Sequence, residues 1–544
     1  MVSAVLFITF FVLLVLNVPI SICLGLSSAA AILYSGTSLT IVATNIYSGI
    51  SKFLLLAIPF FVLSGNIMAK AGISTRLIRF VDTCVGHRKG GIANVCIIVA
   101  CFFGAISGSG PATVAALGAV LIPAMVERGG FSAPFSTALM ATASSIAIVI
   151  PPSIAFVVYA SITGVSIGDM FMAGIVPGIL MGLALIVVVM LEVRKNHVVP
   201  SNVQKASAKE RLDAFKDAFW GFLMPVIILG GIYGGIFTPT EAAAVSVVYG
   251  LFVGMVIYKE VKLKDLWDIL IDSAKTTGGI MLIVACASLF SFVCTRFGIS
   301  AAASQLLAKV AGNQFTFLLI CNVIFLIAGC FIDANSAMYI FIPIMLPVCK
   351  QLGYNVIAFG IMATVNLAIG QVTPPVGVNL FVAIGVKLKN GLQVTLQQIS
   401  RAVVPMVAAC IVVLLMITYI PGISTFLPAA LGSAAAVENG TTTGGDSGTT
   451  ATDNDDFNTI EDYSDLDWPE MTWNFTCSTT ETSTWAQAGR KFGELMEQAT
   501  GGKIKVEVYA ADQLTGGNQS EGIQALMNGD PVQISMHSNL IYSA

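Results

Sequence analysis

Long apolar segments, separated by short polar ones, recur along the chain as far as about Pro428. Eight of them are close to 20 residues long, the length that a helix needs to cross the hydrocarbon core of a bilayer. This pattern predicts a helical membrane protein with many spans. The eight segments are Val2–Leu24, Lys52–Ala69, Met170–Leu191, Phe219–Phe237, Ala242–Tyr258, Thr277–Val293, Phe315–Phe331 and Ala402–Ile420.

The first of these segments could also be a secretory signal peptide. It lacks a basic start, and its apolar run is longer than the core of a cleaved signal. We therefore interpret Val2–Leu24 as the first membrane-spanning helix.

The composition agrees with a chain that is solvated mainly by lipid. Of its 544 residues, 56% are hydrophobic and 10% are charged, whereas a soluble protein carries about a quarter charged residues. The formal net charge of −3 gives no reason to expect a nucleic acid partner. The three His are far apart and the 11 Cys include no CxxC pair, so we expect no zinc site, no disulfide framework and no enzyme active site.

Charge patterning predicts the orientation in the membrane. Basic residues cluster at His87–Gly90, at Glu192–His197 and between Lys205 and Lys216, and the positive-inside rule assigns such loops to the cytoplasm. No Lys or Arg lies between residues 402 and 489, but ten Asp or Glu lie between residues 438 and 470. We therefore place the acidic segment outside the cytoplasm.

The pattern changes after the last apolar segment. Residues 1–428 form the predicted membrane domain, and residues 429–467 have the Gly, Thr, Ser and Asp composition of a disordered linker. From residue 468 onwards, "MTWNFTC", "KIKVEVYA" and "PVQISM" are typical of strands, with amphipathic helices between them. Residues 468–544 are thus predicted to be the first part of a soluble α/β lobe.

Two stretches of the membrane domain are interrupted in the same way. "SGSGPATVAALGAVLIPAM" and "MATASSIAIVIPPSIAFVVYA" correspond to "DANSAMYIFIPIMLP" and "MATVNLAIGQVTPPVGVNLFVA", with offsets of 222 to 224 residues. Both stretches contain the same four features in the same order: a polar tip, a helix that ends near Pro, a Met-Ala-Thr start of the next helix and a Pro-Pro interruption of that helix. Paired interruptions of this kind indicate an internal repeat and mark the central site of a transporter.

Interrupted helices at membrane depth are tolerated where they line a cavity, because their backbone groups cannot face lipid. Freed carbonyls and Ser, Thr and Asn oxygens can bind a hard cation such as Na⁺, and helix N-termini can bind an anion. We therefore predict one cation site where each tip meets the Pro-Pro interruption of its own half, with an organic anion between the two tips. The candidate cation ligands are Gly108, Ser109, Ile150, Pro152, Ser153, Asp333, Asn335, Thr373, Val376 and Gly377, and the candidate substrate residues are Ser107, Ser109, Pro111, Thr113, Asn335 and Asn379.

Several of these features have simpler interpretations. The Ser-Gly-Ser-Gly-Pro tip could be a loop between two helices, and Asp333 and Asn335 could cap the following helix. Thr240 is interpreted as the cap of a helix and Glu241 as a favourable residue in its first turn, so both are given a structural role. The charged residues Asp272, Lys275 and Arg296 are interpreted as loop or interfacial charges.

Five long motifs resemble the large membrane (M) subunit of tripartite ATP-independent periplasmic (TRAP) transporters over about Val2 to Pro428. They are "AIPFFVLSGNIMAKAGISTRLIRF", "GAISGSGPATVAALGAVLIPAM", "VIPPSIAFVVYASITGVSIGDMFMAGIVPG", "GGIFTPTEAAAV" and "GQVTPPVGVNLFVA". The tail, with "FGELMEQATGGKIKVEVYAADQL" and "GIQALMNGD", resembles the beginning of the extracytoplasmic substrate-binding (P) subunit of the same systems.

The resemblance implies an all-α, polytopic, inverted-repeat transporter of the elevator type, with two re-entrant hairpins and discontinuous helices. It implies Na⁺-driven import of an organic acid, such as a C4-dicarboxylate, a keto acid or a sialic acid, across the bacterial inner membrane. The implied partners are a small four-helix Q subunit, a P subunit and the lipid bilayer. A binding-protein-independent Na⁺/carboxylate symporter remains the main alternative, and an ion channel is a second one.

Overall fold

The computed structural model describes residues 2–16, 18–195, 205–386, 394–430, 471–477, 484–509 and 534–536. Contacts divide the chain into two units, Met1–Thr441 and Thr442–Ala544, which are described separately. The acidic linker predicted at 429–467 lies almost entirely outside the described residues.

The described part of the first unit is helical throughout. Its helices are α1 (Val2–Val15), α2 (Ile20–Tyr34), α3 (Thr40–Ile50), α4 (Ala57–Lys70), α5 (Ile73–Val85), α6 (Gly91–Ser107), α7 (Gly110–Glu127), α8 (Ala133–Ser145), α9 (Ile154–Thr163), α10 (Ile167–Lys195), α11 (Ala208–Tyr233), α12 (Pro239–Phe252), α13 (Leu263–Arg296), α14 (Ile299–Ala311), α15 (Gln314–Phe331), α16 (Ala334–Gln351), α17 (Val356–Gly370), α18 (Val378–Ile384), α19 (Leu396–Tyr419) and α20 (Gly422–Ala430). Short 3-10 turns precede α4 and follow α8, and a π-helical turn follows α12.

Eight helical segments of the described chain are long and apolar enough to cross a membrane. Seven of them confirm predicted spans, and the eighth is Gly110–Glu127, which is α7. The predicted span Val2–Leu24 is wrong, because α1 ends at Val15 and α2 begins at Ile20. Pro19, which has no N–H to donate, precedes the first residue of α2.

Two pairs of helices form hairpins with polar tips. In hairpin 1 (residues 91–127), α6 ends at Ser107 and α7 begins at Gly110. In hairpin 2 (residues 314–351), α15 ends at Phe331 and α16 begins at Ala334. We call residues 107–111 tip 1 and residues 333–336 tip 2.

The helix after each hairpin is discontinuous. The 3-10 turn after α8 ends at Ile148 and α9 begins at Ile154, whereas α17 ends at Gly370 and α18 begins at Val378. We call residues 149–153 break 1 and residues 371–377 break 2. Each break contains a cis bond between two prolines, and the pair removes two N–H donors from the helix. The predicted interruptions are thus confirmed in both halves.

The two hairpins open at opposite ends of α10. Before hairpin 1, a Cβ added at Gly90 would lie 2.9 Å from a methyl carbon of Val193, close to the C-terminus of α10. After hairpin 2, a Cβ added at Gly360 would lie 2.8 Å from Cε of Met170, close to the N-terminus of α10. The repeat is therefore inverted, as the family resemblance implies.

The predicted basic clusters lie on one side of the first unit. The contact of Gly90 with Val193 brings the first two clusters together. An ion pair of 3.0 Å between Arg79 on α5 and Asp217 on α11 places the third cluster beside them. The positive-inside rule assigns all three clusters to the cytoplasm, and loops in the same compartment must lie on the same side of the protein.

The described part of the second unit is a parallel sheet with one helix. Strands β1 (Met471–Cys477), β2 (Ile504–Tyr509) and β3 (Ile534–Met536) are arranged in the order β2-β1-β3, and α21 (Thr484–Ala499) connects β1 to β2. Gly489 and Gly493 on α21 lie directly against Phe475 and Val506, which allows the helix to approach the sheet closely. The predicted strands are confirmed, and the helix predicted near "NQSEGIQALMNGD" lies outside the described residues.

Candidate ion and substrate site

A cavity of about 600 Å³ lies where the two hairpin tips approach each other. Tip 1 contributes Gly108 to Pro111, and tip 2 contributes Asp333 to Asn335. The cavity is therefore shared by both halves of the repeat. Its other lining residues are Pro19, Ile20, Ser21, Ile148, Ile154, Ala155, Lys275, Thr276, Gly279, Ile280, Leu282, Ile283 and Gln371.

Side-chain hydrogen bonds fix the backbone of tip 1. The Thr113 hydroxyl donates to the Ser109 carbonyl oxygen over 2.8 Å, and Oγ of Ser107 lies 2.8 Å from Oγ1 of Thr113. Ser107 and Thr113 are buried, whereas Ser109 is half-buried and lines the cavity. Ser107 and Thr113 therefore hold Ser109 in place, and Ser109 is the one of these three residues that lines the shared cavity.

Tip 1 touches break 1 through its backbone. Gly108 has a φ of +59°, in the left-handed region that favours glycine. A Cβ at this position would lie 2.7 Å from the carbonyl oxygen of Pro152. Only a residue without a side chain can bring the tip this close to the break, and the contact places the Pro152 carbonyl beside tip 1.

Ser153 connects the two sides of break 1. Its hydroxyl donates to the carbonyl oxygen of Ile148 and accepts the N–H of Phe156, over 3.4 Å, as the cap of α9. Ile150 lies against α10, where a Cβ added at Gly178 would be 2.4 Å from its side chain. Pro152 thus brings a carbonyl oxygen to tip 1, whereas Ser153 bridges the break itself and Ile150 packs against α10.

Tip 2 is held by its own carboxylate. Oδ2 of Asp333 accepts the N–H groups of Asn335, over 3.0 Å, and of Ser336, over 3.1 Å, so Asp333 is the cap of α16. Oδ1 of Asn335 is buried and has no hydrogen-bond partner within the described residues. The capping interpretation of Asp333 is confirmed, and Asn335 adds an oxygen that lacks a donor.

Break 2 brings several oxygen atoms to one place. Gly377 has a φ of +60°, and its N–H donates to the carbonyl oxygen of Cys330 in hairpin 2 over 3.2 Å. The carbonyl oxygens of Gln371 and Thr373 each lie 3.2 Å from the place of a Gly377 Cβ. Oε1 of Gln371 is a second buried oxygen without a partner in the described chain.

Thr373 and Val376 also belong to break 2. The hydroxyl of Thr373 donates to the carbonyl oxygen of Ile369 over 2.8 Å, which leaves its lone pairs for another ligand. Val376 is half-buried beside Gly377, and only its backbone carbonyl could bind a cation.

Asn379 connects the two halves behind tip 1. Its amide nitrogen lies 3.3 Å from Oγ of Ser144, to which it donates, and 2.8 Å from the place of a Cβ at Gly110. Oδ1 of Asn379 has no partner within the described residues. The side chain is fully buried, so Asn379 belongs to the contact between the halves.

The cavity does not contain all of the predicted site residues. It is lined by Gly108, Ser109, Pro111, Asp333 and Asn335. Ser107 lines a neighbouring pocket of about 100 Å³. The others are not among the residues that line either of these two pockets, and they are Thr113, Ile150, Pro152, Ser153, Thr373, Val376, Gly377 and Asn379.

Sequence reasoning missed two polar parts of the cavity. Lys275 and Thr276 lie on α13, which runs without interruption from Leu263 to Arg296. Asp272, Lys275 and Arg296 lie on α13 and not in a loop, so the loop interpretation is wrong, whereas their interpretation as interfacial charges stays a prediction. Apolar periodicity could not show that this helix passes the hairpin tips.

The donor atoms at the two contacts between tip and break are all oxygens, from carbonyls, hydroxyls, amides and one carboxylate. Such a set suits a hard monovalent or divalent cation and lacks the sulfur and imidazole ligands that soft metals prefer. Within the described residues, no group of three or more His, Cys, Asp or Glu could hold a metal ion.

Comparison with known proteins identifies the class to which this fold and site belong. The family described as "Tripartite ATP-independent periplasmic transporter, DctM component" matches residues 7–423. The chain belongs to this family, and it is a transporter permease rather than an enzyme. Residues 475–543 match the family "Bacterial extracellular solute-binding protein, family 7".

Two relatives show how far the similarity extends. The chain is 42% identical to the isethionate TRAP transporter permease protein DctMQ of Oleidesulfovibrio alaskensis over 423 residues, which cover 78% of this chain and 66% of that protein. It is also 42% identical to the C4-dicarboxylate TRAP transporter large permease protein DctM of Pseudomonas aeruginosa over 412 residues, 75% of this chain and 94% of that one.

A crystal structure of the YdaH transporter of Alcanivorax borkumensis has a similar fold. It matches with a TM-score of 0.52 and 14% sequence identity, over 71% of this chain and 88% of that one. At this identity the likeness concerns the fold alone.

Proposed function

We propose that this permease imports an organic acid together with Na⁺, which binds where each hairpin tip meets the break of its own half. The observation that carries this proposal is the cavity that both tips line. A site that both halves share can open to either side of the membrane when one part of the protein moves against the other.

In the first half, the Na⁺ would be held by tip 1 and break 1. The Gly108 backbone, Ser109 and the oxygens of Pro152 and Ser153 are the candidate ligands there. In the second half, Asp333, Asn335, Thr373 and the carbonyl oxygens near Gly377 would hold the ion. Two buried oxygens without partners, Oδ1 of Asn335 and Oε1 of Gln371, support the second position, since a cation would satisfy them.

The substrate would lie between the tips. The N-terminus of α7 lines the cavity and has no side-chain cap, so its free N–H groups and dipole favour an anion. The N-terminus of α16 is already capped by Asp333. Ser109 and Asn335 offer side-chain hydrogen bonds from the two sides. C4-dicarboxylates and isethionate, named for the two relatives, are organic acids that such a site suits.

The chain would act by an elevator movement, in which the hairpins and the broken helices carry ion and substrate across the membrane. We propose that a small four-helix membrane subunit and an extracytoplasmic binding protein complete the system in the bacterial inner membrane. The basic clusters lie on one side of the membrane domain, and this supports a cytoplasmic location for that side of the domain. The solute-binding segment at residues 475–543 supports an extracytoplasmic location for the tail.

Reconstitution tests this function. Proteoliposomes that contain the chain and its small membrane subunit should accumulate radiolabelled succinate or isethionate when a Na⁺ gradient and the binding protein are both supplied. A K⁺ gradient of the same size is the control. Equal uptake with K⁺ would contradict Na⁺ coupling, and equal uptake without the binding protein would favour a two-component symporter.

A further inference from the structure

Helix α13 lines the cavity between the tips with two polar residues, Lys275 and Thr276, followed by apolar ones. Lys275, Thr276, Gly279, Ile280 and Ile283 line the cavity, and their spacing places them on one side of the helix. Because α13 is continuous at this point, these residues are positioned by a rigid element rather than by a loop.

Lys275 is the one basic side chain among the described residues that line the cavity. The one acidic side chain there is Asp333. The carboxylate of Asp333 accepts two backbone N–H groups at the start of α16, so the N-terminus of that helix already balances its charge. Lys275 is therefore the cation that remains for an anion in the cavity.

The present partner of Lys275 holds it only weakly. Its Nζ lies 3.7 Å from Oδ1 of Asp272, one helical turn away, and the two side chains are 73% and 71% exposed. This distance exceeds that of a hydrogen bond, and exposed pairs of this kind contribute little to stability. An oxyanion that enters the cavity can replace Asp272 as the partner of Lys275 at small cost.

We propose that Lys275 binds an oxyanion group of the transported acid, a carboxylate or a sulfonate, and that Asp272 competes with the substrate for it. This inference rests on the proposed function. One anionic group of the substrate pairs with the Lys275 ammonium on α13, and the other polar end contacts Ser109 and Asn335 at the hairpin tips. Acids with a polar group at both ends are thus preferred over acids with one.

Equilibrium binding of radiolabelled succinate and isethionate tests this role, with the chain and its small membrane subunit in proteoliposomes at saturating Na⁺. Lys275→Gln should raise the Kd of the bound acid about tenfold or more, as expected for the loss of one charge-assisted hydrogen bond. Lys275→Arg should keep the Kd within about threefold, because it retains the charge. Asp272→Asn should lower the Kd about two- to threefold, because it removes the competing carboxylate.

Lys264→Gln is the matched control. Lys264 is an exposed lysine on the same helix and is not among the residues that line the cavity. Its replacement by Gln changes the net charge of α13 by the same amount as Lys275→Gln does. It should leave the Kd unchanged. Na⁺-induced thermal stabilisation, measured without any acid, should be the same in all of these variants.

The outcomes separate the two proposals. If the unmodified chain binds an acid and Lys275→Gln binds it equally well, Lys275 has no role in recognition, and the proposed function stands. If Lys264→Gln weakens binding as much as Lys275→Gln does, the effect is a general one of charge, and the inference is overturned. If the unmodified chain binds neither acid at saturating Na⁺, the proposed function fails, and the role of Lys275 fails with it.

Discussion

Gly329 of hairpin 2 and Gly370 at the end of α17 touch through their backbones. A Cβ added at Gly370 would lie 2.5 Å from Cα of Gly329, and one added at Gly329 would lie 3.0 Å from Cα of Gly370. The first half contains the corresponding pair, since a Cβ added at Gly104 would lie 2.7 Å from Cα of Ala147. Each hairpin is thus packed directly against the helix that precedes its break.

Replacement of Gly370 by Ala should separate hairpin 2 from break 2. We expect a loss of about 1–3 kcal/mol of stability from overpacking and a marked loss of uptake, because the tip can no longer reach the break. Thermal unfolding in detergent and uptake in proteoliposomes measure the two effects. Gly230→Ala, at a position with open space around it, is the control. Normal stability in Gly370→Ala would show that the close contact is not needed.

Replacement of Gly108 by Ala combines two penalties at tip 1. The left-handed backbone costs an L-residue about 1–2 kcal/mol, and the new Cβ would meet the carbonyl oxygen of Pro152. Gly298 has a φ of +69° and nothing within 4 Å, so Gly298→Ala carries the first penalty alone. We expect both variants to be destabilised and only Gly108→Ala to need more Na⁺ for half-maximal uptake. An equal Na⁺ requirement in the two variants would contradict the site at tip 1.

Two substitutions of Asp333 separate helix capping from ion binding. Asn caps a helix about as well as Asp, whereas Ala costs about 1 kcal/mol. Asp333→Asn should therefore keep the thermal stability of the chain but lower its affinity for Na⁺, since the carboxylate charge is lost. Asp333→Ala should lower both. If Asp333→Asn has the Na⁺ dependence of the unmodified chain, Asp333 is a cap and does not bind the ion.

The hydroxyls of Ser109 and Thr373 are further side-chain ligands of the two proposed ion sites. Ser109→Ala and Thr373→Val should each reduce Na⁺-dependent uptake, with little change in folding. Thr163 donates to a carbonyl four residues earlier, as Thr373 does, so Thr163→Val is a matched control for the loss of that bond. We expect Thr163→Val to retain Na⁺-dependent uptake. Unchanged Na⁺ dependence in both Ser109→Ala and Thr373→Val would remove these hydroxyls from the site.

The acidic segment at residues 429–467 provides a test of topology. If it lies outside the cytoplasm, protease added to cells with a permeabilised outer membrane should cleave it and release the tail. Inner-membrane vesicles that are turned inside out should protect it. The opposite pattern of cleavage would reverse the proposed orientation.

The sequence predicted the repeat because its signals are local. Pro-Pro pairs break helices wherever they occur, and polar tips between apolar segments appear at matching offsets, so both breaks and both tips could be located without coordinates. The tail strands were also predicted correctly, because alternation of apolar and polar residues is visible within six or seven positions.

Other features depend on finer local chemistry or on distant contacts. The cap of α12 is Thr238 rather than Thr240, since Thr238 and Glu241 form a reciprocal capping box. The spacing of these two residues, with Pro239 at the first helical position, could have shown this. No local pattern reveals that Lys275 faces the hairpin tips, or that Oε1 of Gln371 lacks a partner, because both depend on packing between segments far apart in sequence.

The most direct measurement is a pair of high-resolution density maps of the chain with its small membrane subunit, one in Na⁺ and one in choline. In Na⁺ we expect density among oxygen atoms at two places, between residues 108–109 and 149–153 and between residues 333–335 and 371–377, and we expect it to be absent in choline. Two maps with no difference at either place would contradict the account.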